Sequence, residues 1–112
     1  MDSRRERLAK NEAIFREVNE QIESLNRGIA AITDQTMQVV CECGDLRCID
    51  QLLMTVEDYE RVRADARRFV VLPGHERPDV EDVVETALGY LVVQKHEGDP
   101  ALVARETDPR HD

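Results

Sequence analysis

All three cysteines of the chain lie within eight residues, in the order Cys41-x-Cys43-x4-Cys48. The dipeptide Gly44-Asp45 between the second and third thiols is a strong turn signal, and such a turn would fold Cys48 back towards the other two. Converging thiolates suit a tetrahedral zinc ion, because zinc prefers sulfur and imidazole nitrogen to oxygen donors. The spacing therefore predicts a zinc site that needs one more ligand.

Three histidines could complete this site. His75 is the first candidate, because the Pro73-Gly74 turn that ends a short apolar run can return the next side chain to another loop of the sheet. His96 follows the last predicted strand and is the second candidate, whereas His111 lies in a polar C-terminal segment and comes last. The predicted zinc ligands are Cys41, Cys43, Cys48 and His75.

Other states of the thiols are open. They could be simply reduced, with one packed as a small hydrophobe. An iron–sulfur cluster would also need a fourth ligand, and nothing else in the chain supports one. A disulfide fits poorly, because three thiols leave one over and Cys41 and Cys43 would lie on the same side of a shared strand.

The motifs favour a structural ion over catalysis. We find no nucleophile beside a base and no phosphate-binding glycine loop at a telling spacing. A small zinc-dependent hydrolase remains an alternative if only three protein ligands bind the metal and water takes the fourth position. A second alternative is a thiol-based redox or metal sensor, in which oxidation expels zinc, joins two cysteines and frees a masked helix.

Composition places the chain among small acidic domains. Its 112 residues are 41% apolar, with two Phe, two Tyr and no Trp, so the core is modest and a structural metal would stabilise it. The net charge of −9 makes nucleic acid an unfavourable partner. No apolar run matches a membrane span or a signal peptide, so we expect a cytoplasmic protein with reduced thiols.

The N-terminal segment, residues 1–32, is predicted to form an amphipathic helix. Residues 3–27 contain neither Pro nor Gly, and Gly28 is a typical helix stop. Apolar side chains recur every four and three residues, with Asn11 filling one gap, and this apolar stripe comprises Leu8, Phe15, Val18, Ile22, Leu25, Ile29 and Ile32. We expect the stripe to cover the protein's own sheet. The alternative is a coiled coil, with a homodimer formed through residues 8–32.

The same helix begins with the only basic cluster of the chain, formed by Arg4, Arg5, Arg7 and Lys10. We interpret this cluster as a solvated helix start, with contact to an acidic partner surface as the alternative.

Residues 36–96 are predicted to form the zinc-binding α+β core. Strands over residues 37–42 and 49–54 would pair antiparallel through the cysteine turn. Thr55, with Asp58 three residues later, predicts the cap of a helix over residues 56–67.

The second half of this core is predicted to add further strands. The apolar run 69–72 suits a central strand, and strands at 82–86 and 90–95 would be joined by a hairpin loop. Residues 97–112, which are polar and contain two prolines, are expected to form a flexible C-terminal tail, although residues 101–103 could still dock.

Several segments resemble a family of small, uncharacterised actinobacterial proteins. They are residues 7–20, 40–43 with Cys48, 55–63, 68–71 and 73–76, so the resemblance extends over most of the chain up to Lys95. It implies a shared arrangement of three cysteines and one histidine and carries no reaction with it. Ala66 stands where relatives are expected to have proline, and this departure affects no ligand.

The sequence thus predicts an α+β fold, with a long N-terminal helix packed on a small, mainly antiparallel sheet and a zinc knuckle that joins strand ends. The expected role is a protein-interaction or regulatory module with a protein partner and a structural zinc ion.

Overall fold

The computed structural model describes residues 3–30, 36–48 and 50–110. In chain order the elements are α1 (Ser3–Ala30), β1 (Thr36–Val40), β2 (Gln51–Thr55), α2 (Val56–Arg63), β3 (Arg68–Val71), β4 (Glu81–Ala87), β5 (Tyr90–Lys95) and α3 (Asp99–Glu106). The α+β class with a long N-terminal helix is confirmed. No helix in the described ranges is long and apolar enough to cross a membrane.

The strands form two small antiparallel sheets rather than one. Strands β1 and β2 pair through the predicted cysteine turn, with Met37 opposite Met54 and Val39 opposite Leu52. These four side chains are buried because alternate residues of each strand point to the same face. The other sheet has the order β3-β5-β4.

Strand β3 lies at an edge of its sheet, so the prediction of a central strand is wrong. Phe69, Val70 and Val71 are nevertheless buried. The free edge of β3 is covered by the cysteine segment, because Glu42 N donates to Val70 O at 2.8 Å. Both faces of β3 are apolar because Val70 packs in one buried cluster and Phe69 and Val71 pack in another.

Helix α2 begins as predicted and ends earlier. Asp58 N donates to Thr55 Oγ1 at 3.0 Å, which confirms the N-terminal cap. The helix stops at Arg63 instead of continuing to residue 67. Asp65 is the physical reason, because its carboxylate accepts from Arg67 N at 2.9 Å and stabilises a turn in competition with the helix.

Helix α1 buries a polar face. Glu12, Arg16, Asn19 and Glu23 are all buried, and their spacing places them on one side of the helix. Ile22 of the apolar stripe packs against the core from the side, whereas Val18 and Leu25 are exposed. The expectation that the apolar stripe covers the sheet is therefore wrong for Val18 and Leu25. The helix also continues past Gly28 to Ala30, and Ile32 lies outside the described residues.

The buried polar side chains of α1 find partners far along the chain. Arg16 donates to the carbonyls of Ala66 and Ala104 at 2.6 and 2.7 Å. Lys95 Nζ lies 2.6 Å from a carboxylate oxygen of both Glu12 and Glu81. These bonds compensate the loss of hydration, which otherwise makes burial of charged groups unfavourable.

The C-terminal segment contains a docked helix, so the prediction of an unanchored tail does not hold. In α3, Ala101 and Ala104 are buried, and the Ala104 carbonyl accepts from Arg16. Beyond the helix, Asp108 forms an ion pair with the buried Arg63. Two small residues on one helix face allow this close approach, and the polar composition of the segment conceals it.

Candidate metal centre

The structure brings the four predicted ligand residues together. One donor atom from each of Cys41, Cys43, Cys48 and His75 lies within 4.8 Å of all the others. His75 Nδ1 is 3.6 Å from the sulfurs of both Cys41 and Cys48. A tetrahedral zinc ion with Zn–S of about 2.3 Å and Zn–N of about 2.0–2.1 Å separates sulfur and nitrogen ligands by about 3.6 Å. The observed distances match this geometry.

The segment that we call the knuckle, residues 41–48, is shaped by its own backbone bonds. Cys41 N donates to Asp50 O at 3.2 Å, which extends the β1–β2 pairing to the first thiol. Cys48 N donates to Asp45 O at 3.0 Å, and Asp45 Oδ1 accepts from Arg47 N at 2.9 Å. These bonds form the turn that the sequence predicts, and the turn returns Cys48 to the other two thiols.

His75 reaches the thiols through the turn that follows β3. His75 N donates to Leu72 O at 3.0 Å, and Gly74 has a φ of +90°, a conformation that glycine adopts readily. Leu72 N in turn donates to Cys41 Sγ at 3.3 Å. The expected return of His75 to the cysteine loop is observed. By contrast, His96 Nε2 lies 3.1 Å from Asp82 and takes no part in the cluster, and His111 is outside the described residues.

Asn19 of α1 fixes the backbone that leads into the knuckle. Its amide nitrogen donates to Val40 O at 2.8 Å and to Glu42 Oε2 at 2.7 Å, and its oxygen accepts from Val40 N at 2.7 Å. Glu42, between the two ligands Cys41 and Cys43, also accepts from Val70 N at 3.0 Å. Helix α1 and strand β3 thus both bond to the residues beside Cys41 and Cys43.

A second set of bonds fixes the middle of the knuckle. Asn11 Nδ2 donates to Gly44 O at 3.0 Å, and the Arg77 guanidinium donates twice to Cys43 O, at 2.9 and 3.1 Å. A Cβ at position 44 would lie 2.9 Å from the carbonyl oxygen of Leu8. Gly44 is therefore needed both for its φ of +81° and for the close approach of α1.

Without a metal ion, the three thiols differ in how readily they lose a proton. A hydrogen bond between Cys41 and Cys43 lowers the pKa of Cys43 and raises the pKa of Cys41, where burial adds to the rise. Burial also raises the pKa of Cys48. One thiolate is thus stabilised by its neighbours, and the positive charge of an ion would favour the others, since metal binding displaces protons from its ligands.

The surroundings of the cluster favour a closed site. Cys41 and Cys43 are buried, and Cys48 and His75 are half-buried. An open pocket of about 240 Å³ adjoins the cluster, lined by Cys43, Asp45, Gly74, His75, Glu76 and Arg77. The four protein donors in reach equal the number of ligands in a closed tetrahedral zinc site.

A second buried ionic group lies apart from the cluster. It is the triad of Glu12, Lys95 and Glu81, beside a cavity of only about 30 Å³. Burial raises the pKa of Glu12 to about 7, against the opposing effect of Lys95. A cavity of this size holds about one water molecule, which is too small for a substrate. We therefore interpret the triad as a set of ion pairs that docks α1.

Comparison of the chain with protein-family models, with curated proteins and with solved structures found no match. The site is therefore interpreted from its own geometry.

The outer residues of the site were missed from the sequence. The sequence pattern identifies Asn11 only as a gap in the apolar stripe and gives Asn19 no role. The available signal was that two asparagines lie within the predicted helix, where Asn is an unfavourable residue. Nothing local indicates that Glu42 or Arg77 would hold the knuckle.

Proposed function

We propose that this protein is a zinc-binding module whose ion is structural and whose surface binds another protein. The observation that supports the zinc assignment is the convergence of three sulfurs and one imidazole nitrogen within 4.8 Å of one another, with two S···N distances of 3.6 Å that suit a tetrahedral ion. Thiolate and imidazole together favour zinc over the oxygen-seeking ions Mg²⁺ and Ca²⁺. The ion would be held by Cys41, Cys43, Cys48 and His75. It would cross-link these segments of the chain and take no part in catalysis.

The architectural role is supported by what the four ligands join. Cys41 and Cys43 follow β1, Cys48 precedes β2, and His75 follows β3. An ion at this point would link the two small sheets and reinforce the hydrogen bonds that already join Glu42 to Val70. In a chain with a modest core, such a cross-link contributes directly to the free energy of unfolding.

The binding role is supported by the outer face of α1. A polar face anchors this helix while apolar side chains remain at the surface. Exposed apolar groups grouped on a fixed element are typical of protein interaction sites. Chemistry is disfavoured because the ligand set is complete and the cavity at the buried triad is very small.

The first experiment is elemental mass spectrometry of protein purified without added metal, together with thiol titration before and after mild peroxide treatment. We expect one zinc ion per chain, retained after peroxide. Absence of metal with three free thiols would refute the proposal. Another metal at one equivalent would preserve the site and refute the assignment to zinc.

The same experiment tests a redox sensor as the second candidate function. The observation in its favour is that Cys48 is only half-buried, so an oxidant can reach it. Two thiolates would lose two electrons to hydrogen peroxide and form one S–S bond, while the peroxide takes up two protons and becomes two water molecules. Release of zinc with loss of two thiols would favour this sensor, and retention of zinc would exclude it.

A further inference from the structure

Helices α1 and α2 together bind an arginine side chain that comes from the C-terminal segment. Residues 107–110, which we call the strap, follow α3 and carry this arginine. Arg110 Nε donates to both carboxylate oxygens of Glu20 at 2.9 and 3.1 Å, and Arg110 Nη1 donates to Glu60 Oε2 at 2.6 Å. Arg110 Nη2 lies 3.7 Å from Glu23 Oε2. The carboxylates of Glu20, Glu23 and Glu60 thus converge on one guanidinium, and we call them the guanidinium site.

The carboxylates of this site are held in place by the two helices that carry them. Arg27 donates to Glu23 Oε1 at 2.7 Å and to Glu60 Oε1 at 3.0 Å, which leaves Oε2 of each carboxylate for the strap. Arg63, whose side chain is fully buried, donates to Glu20 Oε1 at 2.6 Å. Because both arginines belong to α1 and α2, the site is preorganised for a ligand without help from the strap.

One buried oxygen of the site is not satisfied by the strap. Glu23 is fully buried, and its Oε2 accepts no hydrogen bond from the described residues. The distance of 3.7 Å to Arg110 Nη2 is too long for one. A buried carboxylate oxygen without a donor is unfavourable, because it has lost its hydration. The site therefore fits a guanidinium that enters slightly deeper than Arg110 does.

The strap is attached in a way that allows exchange. None of residues 107–110 is buried, and the Arg110 side chain is 31% exposed. Partly exposed ion pairs contribute little to stability. Asp108 of the strap pairs with Arg63, and Arg63 keeps its bond to Glu20 when Asp108 leaves. A second arginine can therefore compete with Arg110 for a site that remains formed.

We propose that the guanidinium site binds an arginine side chain of the partner protein, and that Arg110 occupies the site in cis until the partner displaces it. This inference rests on the proposed function and names the chemistry that the partner presents. Without the strap, three carboxylates face Arg27 and Arg63, which leaves one negative charge for an incoming cation. A guanidinium suits the site better than an ammonium, because its planar fork of five N–H donors serves several carboxylates at once.

The test is the binding of N-acetyl-L-argininamide to the zinc-loaded full chain, followed in ¹H–¹⁵N correlation spectra. In Arg110→Ala the strap no longer fills the site, so we expect saturable shifts of amides in residues 20–27 and 56–63, with a dissociation constant of about 1 mM. The wild type should bind about tenfold more weakly, because the tethered Arg110 competes at a high effective concentration. Arg105→Ala is the matched control and should behave as the wild type, since Arg105 is half exposed and pairs with the exposed Glu97.

The choice of ligand tests the recognised chemistry. In Arg110→Ala, N-acetyl-L-lysinamide should bind at least about tenfold more weakly than the arginine probe. Free L-arginine should also bind more weakly, because its own carboxylate would approach three others. Equal binding of the arginine and lysine probes would overturn the proposal. Tighter binding of free arginine would overturn the assignment to a protein partner.

A second substitution in the Arg110→Ala background tests the site itself. Glu60→Gln should weaken binding of the arginine probe about tenfold, because it removes one charged acceptor. Glu57→Gln is its matched control, since Glu57 is exposed on the same helix and should have no effect. Equal effects of the two, equal probe binding by the wild type and Arg110→Ala, or no saturable shift would each overturn the proposal.

Zinc content of the same samples separates this proposal from the proposed function. A zinc-bound Arg110→Ala protein that fails to bind the probe would overturn the guanidinium site alone. Probe binding by protein that holds no zinc would overturn the zinc assignment and support the guanidinium site. Circular dichroism verifies the fold of each variant, and Arg110→Gln, which keeps more of the side-chain volume, takes the place of Arg110→Ala if the alanine variant unfolds.

Discussion

Replacing Asn19 with alanine should weaken both the fold and the metal site. Asn19 is fully buried and makes three hydrogen bonds, two to the backbone of Val40 and one to the carboxylate of Glu42. Both residues lie immediately beside the ligand Cys41. Loss of the amide would leave these buried groups without a partner and would remove the bond that fixes the knuckle to α1.

The magnitude follows from the kinds of bonds lost. Two bonds join neutral groups, at about 1 kcal/mol each, and the bond to a carboxylate contributes about 1.5–3 kcal/mol. Asn19→Ala should therefore lower the free energy of unfolding by about 3–5 kcal/mol. Because the same bonds orient the segment that carries two ligands, zinc affinity should fall by about 10–100-fold, as it does when outer partners of metal ligands are removed.

Two measurements test this expectation. Urea unfolding at a fixed free zinc concentration gives the change in stability, since ligand binding itself contributes to stability. Competition with a chromophoric chelator gives the zinc affinity. Asn26→Ala is the matched control, because Asn26 lies on the same helix and, among the described residues, its amide donates to the Ile22 carbonyl one turn earlier. The control should change stability by less than about 0.5 kcal/mol.

The reasoning would be refuted by equal effects of the two alanine variants. It would be refuted in part if Asn19→Ala were strongly destabilising with zinc affinity unchanged within about twofold. Asn19 would then support only the docking of α1, and the coupling between helix and metal site would be absent.

Three further predictions concern the ligand, the glycine and the buried triad. His75→Ala should reduce zinc affinity by more than 100-fold, which is roughly the upper limit seen for outer partners of metal ligands, whereas His96→Ala should leave it unchanged. Competition with a chelator measures both affinities, and an equal loss in the two variants would contradict the ligand assignment. Gly44→Ala should destabilise by about 2 kcal/mol more than Gly89→Ala in urea unfolding, because both have positive φ but only position 44 would meet α1; equal losses would remove the close-approach argument. Burial raises the pKa of Glu12 from 4.5 to about 7, so its contribution to stability is present below pH 4.5 and is lost as pH rises through about 7. Between these values the wild type should lose about 3 kcal/mol more than Glu12→Gln, measured by unfolding at both pH values, and parallel profiles would contradict it.

Local features of the sequence were sufficient to predict the cluster of three cysteines and His75 that the structure contains. The spacing of Cys41, Cys43 and Cys48, the turn signal at Gly44 and the Pro-Gly turn before His75 all act over a few residues. The β1–β2 pairing and the cap at Thr55 follow from equally local patterns, and the structure contains both. These features were predictable because the residues that decide them are neighbours in the chain.

Only the tertiary structure decided which face of α1 is buried. The period of the stripe favoured its apolar side, yet Arg16 bonds to Ala104, 88 residues away, and Glu12 to Lys95, 83 residues away. Similarly, α3 packs through its own small residues Ala101 and Ala104, although the composition of this segment resembles that of a flexible tail. Hydrophobic periodicity measures where apolar groups lie, whereas burial of a polar face depends on partners that distant segments supply. The sequence by itself therefore determined which four residues could bind a metal ion, and the tertiary structure determined how the helix holds them and which of its faces remains exposed.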